Sequence, residues 1–166
     1  METKFEYDVS PLGMLNNAKV WFFLYRQNIN LEIQYKIVSI YCLLIGYEML
    51  LKSYLVFLNK NVYSSDLKLG GLGHQFTNIL GALKDEKEVR LLDKIEDVIN
   101  KFQLLEVDVN NLRYPKRGDK FLLLVDYFKP RNDFDEIFEL ISSEVSAGIV
   151  NAFYKGKVTY KFPVVG

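Results

Sequence analysis

Apolar residues recur at spacings of three and four along most of this chain, which is the pattern of amphipathic α-helices. The first such stretch covers residues 14–27, and its apolar face comprises Leu15, Ala18, Trp21, Phe22 and Tyr25. The second stretch covers residues 31–58 and is apolar on nearly every side. Because a helix that is apolar all round must be buried, we predict that this second helix is the central element of the fold. Gly46 within it indicates that a neighbouring helix or a ligand approaches closely there.

Three further helices are predicted after a loop at residues 63–73, where turn-forming residues break the periodicity. Helix three runs from His74 to about residue 83, and helix four from residue 86 to about 106. Helix five begins at a cap formed by Asn132 or Asp133 and reaches about residue 153. The spacing of apolar residues therefore predicts a largely helical protein.

The rest of the chain has no clear helical period. Residues 107–131 contain turn formers and an apolar run without phase, and residues 157–162 alternate weakly between apolar and polar side chains. A short strand at 157–162 could pair with residues 121–125. The predicted fold class is all-α: a single domain over residues 1–166, built as an antiparallel up-and-down bundle of four to five helices, with or without this C-terminal β-hairpin or strand pair.

Charge and composition exclude several partners and locations. Lys plus Arg and Asp plus Glu number 21 each, so no global field attracts polyanions or anionic lipid, and any nucleic-acid contact must be local. The single cysteine can close no internal disulfide, and the first ten residues lack the pattern of a secretory signal. Glu48 and Lys52 interrupt the second apolar stretch, which argues against a membrane span. We therefore expect a cytoplasmic protein with no membrane partner.

The common catalytic and cofactor motifs are absent from the sequence. One His and one Cys, 32 positions apart, make no metal-ligand pair, and the glycines before His74 lack the spacing of a phosphate-binding loop. The serines do not stand in the G-x-S-x-G setting of a hydrolase nucleophile. We accordingly predict no catalytic residue, no metal site and no cofactor.

Three polar residues in the helical region are the first candidates for a site. Glu48 and Lys52 are four positions apart and share a helix face, so they either form an ordinary ion pair or line a groove in which Glu48 orients His74. His74, the one histidine, lies at the predicted start of helix three. It is either a structural contact or a ligand-binding group, because an imidazole beside free helix amides suits an anion such as phosphate.

A local basic cluster at residues 112–118 is the second candidate. Arg113, Lys116 and Arg117 surround Tyr114 there. Arginine side chains match phosphate oxygens, and a tyrosine ring can stack on a base, so the cluster is either a nucleotide or RNA contact or a solvated loop.

The stretches GYEMLLKSYL, GLGHQF and LRYP, in this order, resemble the signature of HEPN domains. In that family a helix with a Glu-x-x-x-Lys-like pattern precedes a Gly-His helix start, and an Arg-Tyr-Pro-like segment follows before the last long helix. The resemblance covers roughly residues 21–153. It implies a helical bundle that is commonly dimeric and occurs beside nucleotidyltransferases or in toxin-antitoxin and defence systems.

Some HEPN proteins are metal-independent ribonucleases, which carry an Arg followed four to six residues later by a His on a late helix. No such pair occurs here, since no His follows Arg90, Arg113, Arg117 or Arg131. The first hypothesis is therefore a non-catalytic HEPN-like module that binds a nucleotide, RNA, or a nucleotidyltransferase or antitoxin partner through His74, Arg113, Tyr114, Lys116, Arg117, Glu48 and Lys52. The second is a structural or regulatory protein of a toxin-antitoxin or defence system, whose bundle face mediates a homodimer or an antitoxin-like complex. The third is a metal-independent ribonuclease with an atypical site.

Overall fold

In a computed structural model of the chain, residues 10–28, 36–63, 71–86, 91–101 and 132–154 are described. These ranges contain no strand and comprise six helices: α1 (Pro11–Asn28), α2 (Lys36–Leu58), α3 (Lys60–Tyr63), α4 (Phe76–Asp85), α5 (Leu92–Lys101) and α6 (Asn132–Tyr154). The predicted all-α class is thus confirmed for the described parts of the chain. The strand pair predicted at 121–125 and 157–162 lies outside them.

Helix α2 is the central element, as its apolar sequence predicted. It contacts α1, α3, α4 and α6. Its side chains dominate the core, with less than 2% of the surface exposed for Leu43, Leu44, Tyr47, Leu50, Leu51, Tyr54 and Leu55. The segment Val38–Leu58 is long and apolar enough to cross a membrane by composition, but 78% of its most apolar window is buried against the rest of the protein. Such burial is what a core helix requires.

Helix α1 packs along α2 at the glycine where a close approach was predicted. A Cβ atom on Gly46 would lie 3.0 Å from Cδ2 of Phe22 and 3.4 Å from Cβ of Trp21. The Phe22 ring also contacts Tyr47, at 5.2 Å between ring centroids, and Phe138, at 4.7 Å. One aromatic side chain therefore joins α1, α2 and α6, and the neighbour at Gly46 is a helix.

The start of α1 lies one turn earlier than the apolar pattern predicted. The helix begins at Pro11, because the Ser10 hydroxyl accepts a hydrogen bond of 3.0 Å from the Gly13 amide. Proline suits the first helical position, where its missing N–H would have no helical partner. The polar cap and the proline, which carry no apolar period, set this boundary.

Three other helices also differ from the prediction. Helix α4 begins at Phe76 instead of His74, with Gln75 as its N-cap. Helix α3 was not predicted at all, since four residues are too few to show a helical period. Its first turn forms because the amides of Val62 and Tyr63 both donate to the Asn59 carbonyl, at 3.1 Å. Of the predicted fourth helix, residues 92–101 are helical. Its predicted start was wrong, because Glu86 is the C-cap of α4 and Leu91 is a turn residue. Residues 87–90 and 102–106 lie outside the described part.

Candidate functional site

The site forms where α2 meets the turn at residues 72–74. Glu48 and Lys52 are one helical turn apart on α2, so their side chains leave the helix on the same face. The turn precedes α4, and its last residue is His74. These elements bring three of the seven predicted site residues together.

Lys52 connects the helix to the turn. Its Nζ donates to Oε1 of Glu48 at 2.8 Å and to the backbone carbonyl of Gly73 at 2.8 Å. The Lys52 side chain is 8% exposed and the Glu48 side chain 1%. The predicted i,i+4 ion pair is therefore present, and it is buried.

His74 completes the cluster from the other side of the same carboxylate. Its Nδ1 lies 3.0 Å from Oε1 and 2.9 Å from Oε2 of Glu48. In contrast to its partners, the imidazole is 45% exposed. The predicted contact between Glu48 and His74 is thus present. About half of the ring is exposed to solvent, and one of its edges contacts the buried acid. We refer to Glu48, Lys52, His74 and the Gly73 carbonyl as the Glu48 cluster.

Gly73 gives the turn the backbone conformation on which the cluster depends. Its φ angle is +58°, in the left-handed region that side chains other than glycine rarely adopt. A Cβ atom at this position would meet nothing within 4 Å, so the backbone angle and not lack of space favours glycine. The turn directs the Gly73 carbonyl to Lys52 and the next side chain to Glu48.

The position of His74 corrects one sequence prediction. His74 was expected to begin a helix, but it is a turn residue that precedes the N-cap Gln75 and the first helical residue Phe76. His74 directly follows the left-handed Gly73, so it is the last residue of the turn and has not yet entered the helix. The Gln75 side chain forms no cap hydrogen bond to the helix.

The Gly73 carbonyl is the functional group that sequence reasoning missed. Main-chain acceptors carry no residue-type signal, so Lys52 was assigned only to Glu48 or to a ligand. The indirect signal was the glycine immediately before the one histidine, a position typical of a positive φ angle.

The remaining predicted residues, Arg113, Tyr114, Lys116 and Arg117, lie outside the described residues. Their contact with a ligand stays a prediction, as does that of the three residues in the Glu48 cluster. Across the described ranges, no group of three or more His, Cys, Asp or Glu side chains could hold a metal ion. Across the same ranges, every buried polar side-chain atom has a hydrogen-bond partner.

Among the described residues, Tyr54 and Tyr63 also lie beside carboxylates. The Tyr54 hydroxyl on α2 donates to Oε2 of Glu144 on α6 at 2.7 Å. Tyr63 lies beside Glu86, and burial followed by the charge of this carboxylate raises the pKa of the Tyr63 hydroxyl. A raised pKa keeps the phenol neutral, which suits a hydrogen-bond donor within the fold better than a nucleophile.

Among the described residues, the Glu48 cluster is therefore the arrangement with the clearest functional chemistry. It holds a half-exposed imidazole by its inner nitrogen, through a buried carboxylate whose charge Lys52 balances. No family model, no curated protein and no solved structure matches the chain.

Proposed function

We propose that the chain is a non-catalytic, HEPN-like module that binds a nucleotide or RNA at the turn carrying His74. The observation that carries the proposal is the half-exposed His74 ring, held at Nδ1 by the buried Glu48. An imidazole oriented in this way presents its outer edge to a ligand. Ligand binding then avoids the entropic cost of fixing a free side chain. As part of the proposal, the helices form an antiparallel bundle, which the contacts of α2 with four other helices support.

The energetics of the ion pair also support a role in binding. Burying a carboxylate and an ammonium group costs several kcal/mol per ion, and their mutual attraction roughly offsets this cost. Apolar side chains at positions 48 and 52 would stabilise α2 at least as well. The buried pair adds little stability but fixes a half-exposed imidazole. Positioning this imidazole for a ligand therefore explains the pair better than stabilising the fold does.

The basic cluster at residues 113–117 is the second part of the proposed site. Arg113 and Arg117 would bind phosphate oxygens in a bidentate manner, and Tyr114 would stack on a base. The sequence carries no Arg-x4–6-His pair, so binding without cleavage is the activity we propose. Convergence of this segment with His74 on one surface belongs to the proposal.

A binding titration tests the proposal directly. Nucleotides and short RNAs should bind saturably, and the affinity should fall as salt is raised because phosphate contacts release counterions. His74→Ala and Arg113→Ala should each weaken binding by about tenfold, the loss expected for one good hydrogen bond or phosphate contact. Lys84→Ala is the matched control, since Lys84 is half exposed and pairs with Glu96 on the surface.

The competing account is a purely structural or regulatory protein. It is favoured by one observation: the hydrogen bonds that Glu48, Lys52 and Nδ1 of His74 form among the described residues all lie within the protein. On that account the titration shows no binding, and His74→Ala changes only stability. Incubation with RNA in the absence of metal ions tests the remaining ribonuclease hypothesis. That hypothesis requires that the wild type cleaves RNA and that His74→Ala abolishes the cleavage.

A further inference from the structure

The hydrogen bonds of the Glu48 cluster determine where its protons lie. Lys52 is donor only, so both of its contacts, to the Glu48 carboxylate and to the Gly73 carbonyl, are donated. A carboxylate paired with an ammonium group is ionised and can only accept. Since Nδ1 of His74 lies 2.9 Å from the same carboxylate, Nδ1 must carry a proton and donate it.

Lys52 also balances the charge of the acid that contacts the imidazole. The Lys52 ammonium lies 2.8 Å from the Glu48 carboxylate, and both side chains are at most 8% exposed. Among the described residues, Glu48 is the charged group that contacts the imidazole, and Lys52 is the one that contacts Glu48.

Nε2 is the other ring nitrogen of His74. Nδ1 is turned to the buried acid, and the imidazole as a whole is 45% exposed. Among the described residues, none forms a hydrogen bond with Nε2. In the neutral Nδ1–H form, Nε2 has a lone pair and can only accept a hydrogen bond.

We propose that Lys52 is a positioning residue: by holding the Glu48 carboxylate and the Gly73 carbonyl in place, it keeps His74 in the Nδ1–H form. Nε2 of this form accepts a hydrogen bond from a hydroxyl or amino group of the ligand. The ligand part rests on the proposed function. It assigns an uncharged donor group of the sugar or base to His74. The protonation part concerns the ligand-free protein alone.

Nitrogen NMR of the histidine ring tests both parts, because the chain has one histidine and its signals need no assignment. Long-range proton–nitrogen spectra distinguish the Nδ1–H form, the Nε2–H form and the imidazolium. At about pH 7.5, where an isolated imidazole is mostly neutral, the wild type should show the Nδ1–H form. An Nε2–H form or an imidazolium in the wild type would overturn the proposal.

Lys52→Met removes the ammonium group and keeps a similar chain length. The Glu48 carboxylate and the Gly73 carbonyl then lose the donor that holds them, so the ring should no longer show the Nδ1–H form alone at the same pH. Lys52→Arg, which restores a charged donor, should return the Nδ1–H form, and Lys84→Met on the surface should leave the ring signals unchanged. A Lys52→Met protein that stays helical by circular dichroism and keeps the wild-type Nδ1–H form would overturn the role of Lys52. If that variant unfolds, the wild-type spectrum and that of Lys52→Arg decide the protonation part.

Adding RNA to the labelled wild type tests the ligand part. The Nε2 signal should shift while the ring remains neutral, as expected when a lone pair accepts a hydrogen bond. Conversion to imidazolium on binding would show that a phosphate contacts His74, which overturns the assigned ligand group and leaves the proposed function standing. If no RNA or nucleotide binds, the proposed function and the ligand part fail together, and the ligand-free spectra still decide the role of Lys52.

Discussion

The single buried carboxylate of Glu48 accepts hydrogen bonds from two nitrogen donors. The site therefore depends on Glu48 more than on any other described residue. Its spacing from Lys52 made the ion pair predictable from sequence. The apolar surroundings on α2 indicated that the pair has a role other than stabilising the helix. The contact with His74 was also predictable, because an acid in an apolar helix needs polar neighbours. The Gly73 carbonyl was not, since the direction of a main-chain acceptor depends on the φ angle of its own turn.

A double-variant experiment tests the coupling between Glu48 and Lys52. Glu48→Leu should lower the free energy of unfolding by about 3 to 5 kcal/mol, because it leaves the Lys52 ammonium buried without its partner. Adding Lys52→Met should restore part of this loss, since the uncompensated charge is then gone. Urea unfolding measures both values.

The exposed pair of Lys84 and Glu96 provides the control, at 2.7 Å and with side chains 49% and 36% exposed. Removing either partner should cost less than about 1 kcal/mol, because water screens the pair. The account of Glu48 would be wrong if Lys52→Met lowered the stability of the Glu48→Leu protein by a further, independent amount.

At the scale of elements, α2 is held from two sides by contacts between glycines and aromatic rings. Gly46 on α2 receives Phe22 of α1, and Gly148 on α6 receives Phe57 of α2. Gly81 on α4 is also helical, but a Cβ atom there would meet nothing within 4 Å. The chain therefore offers two packed glycines and an open one for comparison.

Alanine at each of these glycines separates packing from helix propensity. Gly81→Ala should raise the free energy of unfolding by about 0.5 to 1 kcal/mol, because alanine favours the helix and nothing obstructs its methyl group. Gly46→Ala and Gly148→Ala gain the same propensity but force Phe22 or Phe57 to move, so each should lower stability by about 1 to 3 kcal/mol. Equal stabilisation in all three variants, measured by thermal unfolding, would contradict the close helix approach.

The apolar period predicted the helical class and the central place of α2 for a physical reason. A helix without a polar face has no stable position except between other elements, so its sequence alone defines its environment. The boundaries followed other interactions: the Ser10 cap and Pro11 at the start of α1, and Asn59 at the start of the short α3. These interactions are local and polar, and an apolar pattern does not record them.

At the scale of the whole molecule, we propose that His74 and the basic segment around Arg113 form one binding surface. The sequence order of the two motifs suggested this claim, through the resemblance to HEPN domains. The Glu48 cluster supplies the geometry of its first half, and residues 113–117 lie outside the described ranges.

Photo-cross-linking to a short RNA that carries 4-thiouridine, followed by mass spectrometry of the peptides, tests this claim most directly. We expect cross-links both to the peptide that contains His74 and to the peptide that contains Tyr114, and excess unlabelled RNA should remove both. Cross-links that omit the His74 peptide, or that concentrate on the outer face of α1 around the exposed Phe23, would contradict the account.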